Sequence, residues 1–496
     1  MAASLVSSNL TSGFIDLATF DELEKYMYGG KNAITYFVRE TRKSTWFTQV
    51  PTVLSRGSGT ADFGQEWSAN ISRAGDYLLQ LWLRVEVPEV GLKDEPANEG
   101  LQLRWTRNLM HNLIRESSIT FNDLSAARLD NYFLDFWAAF TVPAGKQVGY
   151  YNMIGNYTDL IQPQPWGNTI RSFILNLPLP YFFTRDSGVA LPTAALPYNE
   201  MRIQFWFRNW NELLIVDNPA PVVVPGVAAS CPSRPPVASE LIGGAPSLSN
   251  VYVWANYAIV SNDERKRMGC APRDILIEQV QTAPVQTFNP LNNRGPSYDI
   301  RFAHAIKSLF FAVRNTSCAS EWSVYTNTSP KVASGSIDWN PSYPSATDPI
   351  LSTTLIYENT QRLSQMGSDY FSQVQPYFQP SAVIPVETGY HLYSYSLDFL
   401  SLDPMGSTNF GKLTNVSIVP YASDQCVAAA NGSIGTGGGN FKNSYSFIVI
   451  AQNNNIIRIS GGALGSKGRP EKGRCHFGCA MTNVGKHSNM HSTLVY

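Results

Sequence analysis

Residues 201–208 alternate along the chain. Met201, Ile203, Phe205 and Phe207 point one way, and Arg202, Gln204, Trp206 and Arg208 point the other. A period of two is the signature of a half-buried β-strand. Residues 76–87 (DYLLQLWLRVEV) behave alike and place Tyr77, Leu79, Leu81, Leu83, Val85 and Val87 on one face. Similar runs recur at 117–121, 251–260, 307–313, 390–399, 413–419 and 445–459, with Gly, Pro and Asn turns between them. Short strands without the long crossover helices that parallel pairing requires predict an all-β, mainly antiparallel protein built of sandwiches or barrels.

A helical period surfaces in three places. In 14–30, Thr19 and Glu22 have capping-box spacing, Phe20, Leu23, Tyr26 and Met27 form a stripe, and Gly29-Gly30 ends it. Such a short amphipathic helix either docks on its own domain or serves as an arm toward a neighbour or a surface. Leu129, Tyr132, Phe133, Phe136, Trp137 and Phe140 make a second stripe, and Met366, Tyr370, Phe371 and Val374 a third. Each stripe follows a strand in its own half of the chain, and His111 and His304 occupy parallel places before strands, which predicts one duplication of a β domain. The second copy carries an insertion at 315–350, full of Ser, Thr, Asn and Pro, that is expected to be an exposed loop.

The divisions that follow are an arm at 1–34, a first β domain at 35–217, a Pro/Ala/Gly-rich linker at 218–248, a second β domain at 249–460, and a Gly-rich, locally basic tail at 461–496. A chain of 496 residues is long for one core. Charged residues are only 15% and aromatics 12%, so apolar area remains for partners beyond what the core consumes. A net charge of −1 argues against direct DNA packaging, which needs many phosphate-neutralising cations. The N-terminal MAASLVSSNLTSG lacks a secretory pattern, and no run reaches the length of a membrane span. Synthesis and folding in cytosol are therefore expected, and the six scattered cysteines (231, 270, 318, 426, 475, 479) read as reduced thiols.

Chemistry is sparse. Cys475, Cys479, His487 and His491, spaced C-x3-C-x7-H-x3-H, are the only metal-like cluster. The middle gap is short for a zinc finger and few apolar residues surround it, so incidental residues in a tail are the reading. Asn-x-Ser/Thr sites at Asn9, Asn70, Asn156, Asn315, Asn327, Asn415 and Asn431 occur at about chance frequency, with Asn315 and Asn327 the most exposed by position. The Gly435–Gly439 cluster lacks the Lys-Ser/Thr of a phosphate loop, and no G-x-S-x-G or H-E-x-x-H is present. Asp186, between Arg185 and Ser187, reads as a turn held by side-chain-to-backbone bonds, and His111 and His304 as structural. No catalytic, cofactor-binding or metal residue is assigned.

Longer phrases carry a resemblance. Thr11-Ser-Gly-Phe-Ile-Asp-Leu-Ala-Thr19, Arg104-Trp-Thr-Arg-Asn-Leu-Met-His-Asn112, Tyr151-Asn-Met-Ile-Gly-Asn156, residues 176–207, Gly389-Tyr-His-Leu-Tyr-Ser-Tyr395, Gly406-Ser-Thr-Asn-Phe-Gly411 and Asn453-Asn-Asn-Ile-Ile-Arg458 stand in fixed order over about 11–465. With them the chain resembles the major capsid proteins of large icosahedral DNA viruses, the iridoviruses in particular. The resemblance implies a double jelly roll, two eight-stranded sandwiches in one chain, and a homotrimer whose six similar walls tile an icosahedral shell. It further implies that loops at 315–350 and 424–443 crown the exterior and could meet a host receptor. The N-terminal arm would lie below, toward minor capsid proteins and an internal viral membrane. Members of the family finish soon after the Gly-Ala-Leu-Gly found here at 462–465, so the tail departs from the pattern. The alternative from another class is a carbohydrate-binding or carbohydrate-cleaving β-sandwich protein. No acidic pair recommends a glycosidase.

Overall fold

The structure, a computed structural model, describes residues 2–39, 41–219, 231–270, 273–333, 336–338, 347–432, 441–460 and 463–466. It comprises two compact units, Met1–Trp46 and Phe47–Tyr496. In the small unit, α1 (Ala2–Ala18) precedes α2 (Glu22–Met27). The capping box of α2 is Asp21 with Glu24, in place of the expected Thr19 with Glu22. Aspartate, with its short carboxylate, satisfies the first-turn N–H groups from two residues further on. The stripe of Phe20, Leu23, Tyr26 and Met27 is exposed.

Among the described residues of the large unit, sixteen strands repeat one topology. In chain order the first eight are β1 (Phe47–Val53), β2 (Glu66–Asn70), β3 (Tyr77–Val87), β4 (Ile114–Phe121), β5 (Leu124–Asp130), β6 (Phe173–Pro178), β7 (Met201–Phe207) and β8 (Ser249–Val260). The next eight are β9 (Arg273–Thr282), β10 (Tyr298–Asp299), β11 (Ala305–Asn315), β12 (Ile350–Tyr357), β13 (Thr360–Gly367), β14 (His391–Ser394), β15 (Val416–Ala422) and β16 (Tyr445–Ser460). The first sandwich faces a sheet of order β1-β8-β3-β6 against one containing β2-β7-β4-β5; the second faces β9-β16-β11-β14 against β10-β15-β12-β13. Adding eight to each number of the first converts it into the second, and every one of these pairings is antiparallel. The β4–β5 and β12–β13 turns match as well. Asn122 and Asp123 have φ of 49° and 65°, and Glu358 and Asn359 have 46° and 64°, which gives both hairpins the same left-handed pair at the tip.

This alignment corrects the expected repeat. His111 precedes β4, the fourth strand, whereas His304 precedes β11, the third of its set, so the two are not equivalent. Ser249–Val260, placed by sequence in the second half, pairs with β1 and β3 of the first. The alternation of β7 is as read, with Met201, Ile203, Phe205 and Phe207 buried. In β3 it holds from Leu81 onward, but Leu78 is buried in place of Leu79. Pairing with β8 slips there, where Asn256 faces Gln80 and Tyr257 faces Leu78, and a bulge reverses which side chains face inward.

Two apolar clusters result. One lies inside the second sandwich, where Leu309, Phe311, Val313, Phe447 and Val449 meet Leu355 and Ile418. The larger fills the first sandwich and continues onto the outer face of β11, β14 and β16 through Phe310, Ala312, Leu392, Ile448 and Ile450. Strand β11 is therefore buried on both faces, the physical reason for its unbroken Leu-Phe-Phe-Ala-Val run.

Candidate assembly seam and outer faces

What covers the outer face of β11 is α3 (Asn131–Thr141), which Asp130 caps by accepting from the Phe133 N–H at 2.7 Å. A second helix, α4 (Ala144–Ile154), follows after Pro143. The stripe seen in sequence becomes the seam. Phe133, Phe136 and Phe140 place their rings 5.8–6.4 Å from Phe310. Phe136 also meets Tyr325 and Tyr390, and Trp137 meets Phe399 edge-on. The Asp130 carboxylate receives the Thr282 hydroxyl of β9 at 2.6 Å, so the helix cap is itself a crosslink between halves.

Charged groups are buried along the same seam. Arg104 donates from Nε to Asp217 at 2.6 Å and through Nη2 to Glu321. Burial alone would lower its pKa, yet the two carboxylates more than offset that and hold it above the ordinary value. Glu278 accepts from Arg185, from Lys307 at 2.5 Å and from Gln452 at 2.6 Å. The Arg185 guanidinium lies 3.7 Å over the Trp137 ring. Asp186 beside it makes no side-chain cap bond, contrary to the sequence reading. In this turn Arg185 is the residue that matters.

The insertion at 315–350 is the largest correction. Residues 318–329 are mostly buried at the seam, and 339–346 lie outside the described residues. Trp322 sits with the Arg208 and Arg314 guanidinium carbons 3.7 and 3.8 Å over its ring, and its indole N–H donates to the Glu212 carbonyl at 2.8 Å. Burial pushes the Arg208 pKa down to about 10. Ser323 and Tyr325 donate to Asp135 at 2.6 and 2.9 Å. Asn315 and Asn327, expected to be exposed, are buried. The signal available in sequence was Glu321-Trp-Ser-Val-Tyr325, an apolar alternation inside a polar stretch.

Cys231 and Cys318, 87 residues apart, form a disulfide, against the expectation of reduced thiols throughout. Spacing could not reveal it, because only folding brings the middle of the Pro-rich segment to the strap of residues 316–329. That segment is also less of a linker than read: Ser233–Arg234 pairs with Leu214–Asp217, Leu241 bridges Leu92, and 220–230 lies outside the described residues. Of 424–443, residues Asp424–Ala430 form a helix that buries Cys426, and 433–440, with Gly435–Gly439, lies outside. Cys475, Cys479, His487 and His491 lie outside as well.

His111 is buried, with Nδ1 2.7 Å from Asp135 and Nε2 2.7 Å from the Tyr150 hydroxyl. A carboxylate accepts, so Nδ1 donates to Asp135, and Nε2 is paired with the Tyr150 hydroxyl. His391, unremarked in sequence, stacks on Phe311 and faces Asp348 at 2.7 Å. His304 is exposed in a turn with φ 67°. Both buried imidazoles have their ring nitrogens occupied by protein groups, which suits them to hold structure.

Among the described residues, two outer faces are left uncovered. Between the outer face of β3 and β6 and the helices α3 and α4 runs a groove of about 930 Å³, walled by Trp82, Trp137, Pro143, Tyr150, Met153 and Pro178. In the second sandwich the position of α3 is taken by a π-helical turn, Tyr370–Val374, that continues into α5 (Gln375–Phe378). It leaves Tyr377 and Phe378 70% and 74% exposed.

A profile described as the major capsid protein N-terminus matches residues 35–260, and one described as the large eukaryotic DNA virus major capsid protein matches 264–465. The chain is 63% identical over 462 residues to the major capsid protein of Tipula iridescent virus, covering 92% of this chain and 98% of that one. To the major capsid protein of Rana tigrina ranavirus it is 43% identical over 470 residues, covering 93% and 99%. Among solved structures, the quasi-atomic model of the PBCV-1 virus capsid superposes with a TM-score of 0.66 at 21% identity, over 87% of this chain and 99% of that one. The Faustovirus major capsid protein gives 0.64 at 13% identity, over 93% and 99%. Identities this low speak to the fold, which is the double jelly roll.

Proposed function

Because this chain belongs to the major capsid proteins of large eukaryotic DNA viruses, we propose that it works as a homotrimer, three chains supplying six jelly rolls to one capsomer. The function in outline is that of the family: a structural subunit of the icosahedral shell, not an enzyme. The finer reading rests on one observation above all. Two sandwiches of identical strand order are locked side by side by a buried seam that Arg104–Glu321, Arg107–Glu387 and Arg185–Glu278 cross, so one chain already presents two walls of a six-walled column. Three-fold symmetry completes the column with a single kind of contact.

On this reading the first jelly roll spans 47–260, the second 273–460, and the unit Met1–Trp46 is an arm that reaches minor capsid proteins or the internal viral membrane beneath the shell. The arm's apolar stripe, uncovered within its own unit, supports that role. Assembly takes place in host cytoplasm. Receptor contact, where it occurs, uses the outer loops between strands. Negative-stain images of the purified protein test the proposal. Class averages with a hexagonal outline and three-fold symmetry are expected, and compact single-chain particles would contradict it.

A further inference from the structure

Within one chain, α3 lies between β5 and β6 and covers the outer face of the β9-β16-β11-β14 sheet. By the plus-eight correspondence, the segment Tyr370–Phe378 lies between β13 and β14 and is the counterpart of α3. The sheet corresponding to the covered one is β1-β8-β3-β6, whose outer face carries half-exposed Trp82 and Trp254, stacked at 6.0 Å, and the groove beside them. Each half thus has a helix and a face. Among the described residues, only one helix and one face are used inside the chain.

We infer that the unused pair meets between copies: the Val374, Tyr377 and Phe378 face of one chain docks into the groove walled by Trp82, Trp137, Pro143, Tyr150 and Pro178 of the next. This rests on the self-assembly proposed above and names the surfaces that perform it. The occupant is a second copy for three reasons. The helix face is uncovered although its counterpart is buried against Phe310. The groove is apolar and bordered by a single charged side chain, Lys146, which matches an uncharged aromatic face. Gln379 ties α5 to the loop 396–399 by donating to the Ser396 carbonyl and accepting from the Phe399 N–H, both at 3.0 Å, and this loop exposes a further apolar side chain, Leu397. The contact is heterologous, joining different surfaces of identical chains, and such contacts build rings.

The test compares wild type with the double variant Tyr377→Asp/Phe378→Asp by light scattering across a dilution series. Aromatic anchors at the centre of an interface each typically account for about 30-fold in affinity or more, so the variant is expected to stay monomeric where wild type is trimeric, with unchanged strand content. A second measurement covers the case in which the variant does not fold. Chains carrying Phe378→Cys and chains carrying Met153→Cys, both with Cys270, Cys475 and Cys479 replaced by Ser, are co-expressed and treated with a short bis-maleimide. Crosslinks between the two kinds of chain, with none in either kind alone, are expected. A trimeric wild type with a trimeric double variant and no crosslink overturns this contact while leaving the trimer standing. A monomeric wild type overturns both.

Discussion

Arg104 is a buried cation of the seam held by two carboxylates. It is fully buried between Asp217 and Glu321, and truncation would leave two carboxylates in a dry place without their cation. Arg104→Ala is expected to cost about 3–5 kcal/mol in urea or thermal melts. Gly389 is constrained by geometry: its φ is +101° and a Cβ there would come within 2.1 Å of the Tyr325 carbonyl oxygen in the strap. Gly389→Ala is expected to cost at least about 2 kcal/mol by the same melts. Asp76 sets an acid limit. Burial would raise its pKa, but hydrogen bonds from Arg265 at 2.7 and 2.9 Å and from the Val260 N–H at 2.9 Å, together with the Arg265 charge, hold it below the ordinary value of 3.8. A depressed folded-state pKa gives stability that is present above about pH 4 and lost as pH falls through the lower folded value. The gap in stability between wild type and Asp76→Asn should therefore be largest near pH 6 and narrow toward pH 3; an equal gap at both would contradict the assignment. None of these three roles was legible in the sequence. Each depends on a partner more than sixty residues away, whereas the Phe133, Phe136 and Phe140 stripe announced itself because its own members recur at helical spacing, even though its partner Phe310 is equally remote.

At the scale of elements, strands with one wet face were read correctly, β7 residue for residue. Periodicity failed where geometry breaks it, as at the bulge opposite Asn256-Tyr257 in β3, and where composition misled, as in the strap. Ser, Thr and Asn usually mark solvent. Here they satisfy buried polar groups of two sandwiches, Ser323 and Tyr325 serving Asp135, so a polar stretch became an interior one. The helix Tyr370–Phe378 was found as a stripe, yet its exposed aromatic face reads in sequence like any core face, because sequence alone does not show what lies opposite. The disulfide fastening the strap makes its own prediction. Closing a loop of 87 residues, it should contribute roughly 2–4 kcal/mol. Peptide mapping without reductant should recover Cys231 linked to Cys318, and Cys318→Ser should melt earlier than wild type only in the absence of reductant.

For the whole molecule, the duplication explains more than either half alone. A jelly roll presents one helix-bearing side and one bare sheet face, and two in tandem use one of each and leave one of each. The fold class was legible from strand spacing and the resemblance; the correct repeat required pairing, because histidines at strand entrances imitate equivalence while the left-handed turn pairs at 122–123 and 358–359 establish it. The central claim is that these leftover surfaces make the chain a trimer. Light scattering on the purified protein at micromolar concentration tests it most directly. A molar mass of three 54.9 kDa chains is the predicted result, and a stable, well-folded species of one chain mass would contradict the account.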